Sequence, residues 1–201
     1  MKIPTALSLL FLLSACHPKE RSVEVPLSFD RSDFREGDVV FRRGRGLTSR
    51  LVLGADPQGV FSHTGIVVVR HDSLMIVHAV PGESPDGTDK VEMEPIALFF
   101  HPDKAVCGLQ MRFSGSSELA KNASLKAIQL YERGTLFDHS YDQQDTLRMY
   151  CTELIVFVYR QSGIDLIPQG GTEISLPGFH GKYLLPTDVQ KSTFLYKVKD
   201  L

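Results

Sequence analysis

The stretch SHTGIVVVRHDSLMIVHAV, residues 62–80, contains two apolar runs separated by a short polar break. Each run has the length and the β-branched content of a strand, so the pattern predicts an antiparallel hairpin. A loop of two or four residues pairs Gly65 with His78 and places His63 diagonally across from His78 on the same face. A loop of three or five residues would put the two histidines on opposite faces. The commoner even loop therefore predicts that both imidazoles share one small cavity, where Gly65 leaves space.

The rest of the chain alternates strand-like and helix-like segments. Strands are predicted in EGDVVFRR (36–43), TDKVEMEPI (88–96, ending at Pro95), KAVCGLQMRF (104–113) and TFLYKVK (193–199). Helices are predicted in GLTSRLVLGAD (46–56, closed by Gly54), SSELAKNASLKAIQLYERG (116–134) and YCTELIVFVYRQSG (150–163), with a helical turn in LLPTDVQKS (184–192). The helix from 150 is nearly all apolar, so it should be buried all round. Polar or Gly- and Pro-rich loops are expected at 137–149 and 167–181. These elements predict one α+β domain, an antiparallel sheet or partial barrel packed against the helices.

The N-terminus has the pattern of an export signal. MKIPTALSLLFLLSAC, residues 1–16, carries one lysine and an apolar run that is too short to span a bilayer. LSAC resembles the bacterial lipobox, in which the cysteine becomes the lipid-modified N-terminus. We therefore expect a signal peptide over 1–15, a tether over 16–34 lipidated at Cys16, and a domain over 35–201 in the cell envelope. An ordinary signal peptide with an incidental cysteine is the alternative.

The charge pattern excludes one class of partner. Twenty-two basic and 24 acidic residues give a formal net charge of −2, and no basic block or stripe stands out. The sequence therefore predicts no nucleic-acid partner.

Cys151 falls at the start of the apolar helix, where the free N–H groups favour a thiolate and could bind an oxyanion. A neighbouring imidazolium would favour the thiolate further. A thiol nucleophile needs a base within hydrogen-bond reach, and the base needs a third polar group to orient its ring. Cys151, His63 and His78 fit those roles in that order. A strand histidine is also compatible with a purely structural role, and this alternative stays open for His78.

Other residues allow alternative assignments of the site. His139, in the loop before the helix, is the rival third member of the site. Glu153 lies two residues beyond the thiol and therefore faces another direction on the helix, which favours a structural role. A zinc site from His63, His78 and Cys151 is conceivable, but HExxH and CxxC spacings are absent from the sequence.

The remaining cysteine, Cys107, lies in an alternating strand-like run and is expected to be free and buried as a small hydrophobe. An exported protein could instead join Cys107 to Cys151 in a disulfide.

Several motifs together resemble one enzyme family. GDVVF, SHTGIVV, IVHA, FDHSYDQQD running into YCTEL, and the closing LLPTDVQKSTFLYKV are similar to the YiiX/YebB-like cysteine hydrolases. That family is a circularly permuted branch of the NlpC-type papain-like superfamily, related to the lecithin:retinol acyltransferase group. In it the histidine strand precedes the cysteine helix, as here. The resemblance implies a permuted papain-like fold over about residue 35 to the C-terminus, with Cys151 as nucleophile, His63 as base and His78 at the variable third position.

We therefore expect a lipid-anchored extracytoplasmic cysteine hydrolase that cleaves amide or ester bonds and needs no metal or organic cofactor. Peptide, amide or acyl compounds would be its substrates, and the expected location makes cell-wall peptides the first choice. Two alternatives remain. One is an acyl hydrolase or acyltransferase acting on lipids, and the other is a catalytically silent binding lipoprotein.

Overall fold

The computed structural model describes residues 30–176 and 179–201. The predicted signal peptide and Cys16 lie outside the described residues. The strands are β1 (Val39–Gly44), β2 (His63–Arg70), β3 (Ser73–Ala79), β4 (Val91–Pro95), β5 (Ala105–Phe113), β6 (Leu136–Phe137), β7 (Arg148–Met149), β8 (Thr172–Leu176), β9 (Phe179–Tyr183) and β10 (Leu195–Asp200). The helices are α1 (Leu47–Ala55), α2 (Ile96–Phe99), α3 (Ser117–Glu132), α4 (Cys151–Arg160) and α5 (Pro186–Gln190), after a 3-10 turn (Arg31–Asp33).

Six strands form the central sheet, in the order β10-β5-β1-β2-β3-β4 with every neighbouring pair antiparallel. The sheet is open in the described part of the chain, so the fold is α+β with a mostly antiparallel sheet rather than a closed barrel. Two small pairs lie outside it, the parallel β6–β7 and the antiparallel β8–β9. No helix in the described ranges is long and apolar enough to cross a membrane.

Both faces of the sheet are covered at its centre. On one face, α3 and α4 pack against β2, and the main hydrophobic core lies between these helices and the sheet. On the other face, a smaller cluster forms around Phe34, Phe99 and Phe100, with α2 at its edge. Two-sided cover explains why β2 is buried over its first six residues instead of alternating between core and solvent.

The hairpin β2–β3 has the predicted register. His71 and Asp72 form its two-residue turn with φ of 48° and 59°, the left-handed geometry of a type I′ turn. Gly65 therefore lies opposite His78, as expected. A Cβ on Gly65 would lie 2.5 Å from Cγ2 of Ile76, so the close packing of the hairpin requires glycine there. The predicted pairing is confirmed.

Helix α4 also matches its prediction. It begins at Cys151, and seven of its ten residues are buried. Glu153 reaches back so that its carboxylate accepts a hydrogen bond from the N–H of Tyr150 at 3.4 Å, one half of a capping box. Burial raises the pKa of Glu153 to about 8, with neighbouring aspartates adding to the shift. The structural role expected for Glu153 fits this geometry.

Three local predictions were wrong. Helix α1 runs through Gly54 to Ala55 instead of stopping at the glycine. The stretch 167–181, expected as a loop, contains most of the hairpin β8–β9. The sequence pattern of β8 is weak because Ile174 is its one buried residue. No alternation of apolar and polar residues therefore predicted a strand there. Cys107 is free as expected, but it is half-buried rather than buried.

Candidate active site

The candidate site lies where the N-terminus of α4 meets the first residues of β2. Cys151 is the first residue of α4 and His63 is the first residue of β2. Both line one cavity of roughly 700 Å³. Cys151 is half-buried and free of any disulfide, while the His63 side chain is buried. The structure therefore brings the predicted nucleophile and the predicted base to the wall of the same cavity.

The two histidines are in direct contact. Nε2 of His63 lies 2.9 Å from Nδ1 of His78, and the rings meet edge to face with their centroids 5.0 Å apart. Phe99 stacks on His63 and meets His78 edge-on. His78 is only 1% exposed. The proximity predicted from the hairpin register is confirmed, but the shared cavity is not, since of the two histidines only His63 lines it.

A carboxylate lies on the far side of His78. Nε2 of His78 is 3.1 Å from Oε1 of Glu94, although the approach is not well aligned for a hydrogen bond. Lys104 donates to Oε2 of Glu94 at 2.7 Å. Arg42, only 2% exposed, places NH1 3.8 Å from Oε1 of the same carboxylate. None of these three charged residues was predicted from the sequence.

The electrostatics favour neutral imidazoles. Burial lowers the pKa of His63 well below its ordinary value, and the charge of Arg42 lowers it further. Burial also lowers the pKa of His78, against the opposing effect of Glu94. Near neutral pH, His63 is therefore unprotonated and able to accept a proton.

The thiol differs from the expectation. Burial raises the pKa of Cys151, and contacts with the Thr152 hydroxyl and with the backbone of Thr64 only partly offset that effect. The hydroxyl oxygen of Thr152 lies 3.7 Å from Sγ. The sequence predicted a thiolate from the helix N-terminus and a neighbouring imidazolium, whereas in the fold burial shifts the pKa of the thiol upward and the imidazole is neutral. In the resting state the cavity wall therefore carries a neutral thiol and a neutral imidazole.

The cavity walls are largely apolar. They include side chains from α1, from the hairpin β8–β9 and from the loop around β6, namely Leu51, Val52, Ala55, Phe137, Tyr141, Ile174 and Leu176. None of the residues of α1 is buried, so this helix lies over the cavity without entering the core. The cavity therefore offers polar reactive groups inside an apolar surround.

The rival candidates lie elsewhere. His139 is 62% exposed and pairs with Asp89 at 3.0 Å, and it is not part of the cavity wall. Cys107 is on β5, where burial raises the pKa of its thiol. The structure thus groups His78, not His139, with His63.

The positions of the site residues also test whether they could hold a metal ion. Among the described residues, no group of three His, Cys, Asp or Glu side chains is arranged to hold a metal ion. Nε2 of His63 and Nδ1 of His78 face each other directly, so these two nitrogens do not converge on a shared position. The residues present do not fit a site built from His63, His78 and Cys151.

These features define an α+β protein whose open antiparallel sheet carries two histidines beside a cysteine at a helix N-terminus. A search of solved structures found a match with the crystal structure of the metalloprotein YiiX from Escherichia coli O157:H7, described as DUF1105. The TM-score is 0.67 at 21% identity, over 83% of this chain and 97% of that chain. No family model and no curated protein matches the sequence. The chain therefore has a YiiX-like fold.

Proposed function

We propose that this protein is a cysteine hydrolase in which Cys151 is the nucleophile, His63 the general base and His78 the third member. The observation that carries the proposal is the hydrogen-bonded pair of buried histidines, one of which lines the same cavity as a cysteine at the start of a buried helix. A nucleophile, a base and a group that orients the base are the parts that this chemistry needs.

The reaction follows from the neutral resting state. A substrate carbonyl enters the cavity, Sγ of Cys151 attacks its carbon, and His63 takes the thiol proton. The first N–H groups of α4, which have no intrahelical partner, support the oxyanion. His63 then passes its proton to the departing amine or alkoxide, and a thioester remains on Cys151. Water attacks the thioester with His63 as base, which releases the acid and restores the thiol.

We also propose a more specific architecture and family for this fold. The order of the histidine strand before the cysteine helix supports the circularly permuted NlpC-type papain-like architecture. The motifs around Cys151 and His63 support membership of the YiiX/YebB-like hydrolases.

The substrate class has two candidates. An envelope location makes cell-wall peptides the first, with an amide as the scissile bond. The apolar walls from α1 and β8–β9 favour the second, hydrolysis or transfer of an acyl group from a lipid. Identification of the leaving group distinguishes the two candidates: an amine leaves from a peptide, and a lipid alcohol leaves from a lipid ester.

The location is proposed from the N-terminal sequence. Cleavage after residue 15 and lipid on Cys16 would tether the domain over 35–201 to the envelope face of a membrane through residues 16–34. No nucleic-acid partner is proposed.

The structural neighbour YiiX is described as a metalloprotein. In this chain the site residues do not converge on a common metal position, so no step of the proposed reaction passes through a metal. A catalytically silent binding protein is the remaining alternative.

Turnover assays on paired cysteine variants test the proposal. Peptide amides and acyl esters would be offered to the wild type, to Cys151→Ala and to Cys107→Ser, the other free cysteine. The proposal predicts loss of turnover in Cys151→Ala and normal turnover in Cys107→Ser. Turnover that survives in Cys151→Ala would refute it.

A further inference from the structure

Four charged side chains form a compact cluster next to His78, and three of them, Arg42, Glu83 and Lys104, also line the cavity. Arg42 comes from β1, Glu94 from β4, Glu83 from the loop after β3, and Lys104 from the residue before β5. Lys104 contacts both carboxylates at 2.7 Å, and Arg42 pairs with Glu83. The cluster is balanced, with two positive and two negative groups, and Oε1 of Glu94 lies 3.1 Å from Nε2 of His78.

We propose that Glu94 is a positioning residue that sets the tautomers of both histidines and thereby selects Nδ1 of His63 as the catalytic base. This inference rests on the proposed role of His63. A carboxylate can only accept hydrogen bonds, so the nitrogen that faces Glu94, Nε2 of His78, carries a proton.

The proton positions then follow along the pair. With its proton on Nε2, the neutral ring of His78 presents the lone pair of Nδ1 to His63. Nε2 of His63 lies 2.9 Å from that atom and therefore donates. The lone pair of His63 is left on Nδ1, the one ring nitrogen that is not used by the pair.

Glu94 keeps its charge over the working pH range. Burial alone would raise the pKa of Glu94, but His78 and Lys104 together outweigh burial and lower the pKa to about 2. The N–H of His78 is not squarely aligned with Oε1, so the carboxylate, 3.1 Å away, favours a proton on that nitrogen chiefly by its charge.

Arg42 restrains the planes of the His63 and His78 rings, in addition to balancing the charge of the carboxylates. Its guanidinium lies over the ring of Phe99, 4.5 Å from the centroid, and donates to the Phe99 carbonyl at 2.8 Å. Phe99 in turn packs against the rings of His63 and His78. The cluster therefore restrains both the protons and the orientation of the imidazoles.

The arrangement acts most strongly in the transition state. When His63 takes the thiol proton on Nδ1 it becomes an imidazolium, and its Nε2–H still donates to His78. The negative charge of Glu94 then stabilises the new positive charge through His78. Removing that charge should lower kcat far more than it alters KM.

The first test needs no variant. Nitrogen-15 NMR of histidine-labelled wild-type protein near pH 8 should show His63 and His78 both as Nε2–H tautomers. A proton on Nδ1 of either ring would overturn the proposal.

The second test compares two conservative changes on β4. Glu94→Gln should lower kcat by roughly 10–100-fold with little change in KM. Glu92→Gln is the matched control, since Glu92 lies two residues away on the same strand and accepts a hydrogen bond from the Ser84 hydroxyl. Equal kcat in the two variants would overturn the inference. Turnover that survives in Cys151→Ala would instead refute the proposed function and leave the tautomer result unaffected.

Discussion

The ionisation of Cys151 gives a sharp prediction about its reactivity. Because burial raises the pKa of this thiol, the resting site holds a neutral thiol and a neutral imidazole rather than an ion pair. An ordinary thiol with a pKa near 8.5 is about 3% thiolate at pH 7, so Cys151 should lie below that fraction. Its alkylation by iodoacetamide should therefore rise about tenfold per pH unit from pH 6 to 8.

The assay is best made in a Cys107→Ser background, which removes the other free thiol. Alkylation rates would be measured from pH 5 to 10 with and without His63→Ala. The structure predicts a single rise at alkaline pH in both proteins, whereas turnover is lost in His63→Ala. A rate that is already maximal at pH 6 and disappears in His63→Ala would show an ion pair and refute the reasoning from burial.

Three further predictions concern stability. Gly65→Ala should cost about 1–3 kcal/mol in urea unfolding because its Cβ would crowd Ile76. Gly54→Ala is the control, since a Cβ there meets open space within helix α1 and alanine favours the helix; equal losses would contradict the packing argument. The pKa values of His63 and His78 are lowered in the folded state, so at these two sites the unfolded chain binds protons first as pH falls. Glu153 acts in the opposite direction because its pKa is raised to about 8, so the test uses a Glu153→Gln background. There the free energy of unfolding should decrease below about pH 6.5, and a value unchanged between pH 7.5 and 5.5 would count against buried neutral imidazoles. Tyr159→Phe should cost about 1–2 kcal/mol because its buried hydroxyl donates to the carbonyl of Gly37; a change near zero would show that this bond adds no net stability.

The histidine pair was predictable because it depends on local sequence. Two apolar runs around a two-residue turn fix the register, and the register alone places His63 beside His78. The buried helix that begins at Cys151 was equally clear from its apolar run and the Gly163 that follows it.

The charged cluster was not predictable in the same way. Glu92 and Glu94 lie two residues apart on β4, so their side chains face the same side of the strand. Two acidic residues in this spacing indicate a face that is turned toward solvent. Burial of Glu94 requires a second covered face of the sheet and partners that come from distant segments, Arg42 and Lys104. One weak signal existed, since β1 pairs Arg42 with His63 across the ladder, but that pairing is non-local.

The cavity walls and the ionisation of the thiol also depend on tertiary structure. Helix α1 has no buried face, and the hairpin β8–β9 buries little, so neither carries the periodicity that marks a packed element. The helix N-terminus predicted a thiolate at Cys151, whereas the surroundings of the folded chain shift its pKa the other way.

Trapping the acyl-enzyme tests the central claim most directly. The wild type, Cys151→Ala, Cys107→Ser and His63→Ala would each be incubated briefly with activated acyl esters, quenched in acid and measured by intact and peptide mass spectrometry. The account predicts one acyl group on Cys151 in the wild type and in Cys107→Ser, none in Cys151→Ala, and strongly slowed acylation in His63→Ala. An acyl group on Cys107, or turnover without any adduct on Cys151 and undiminished in Cys151→Ala, would contradict it.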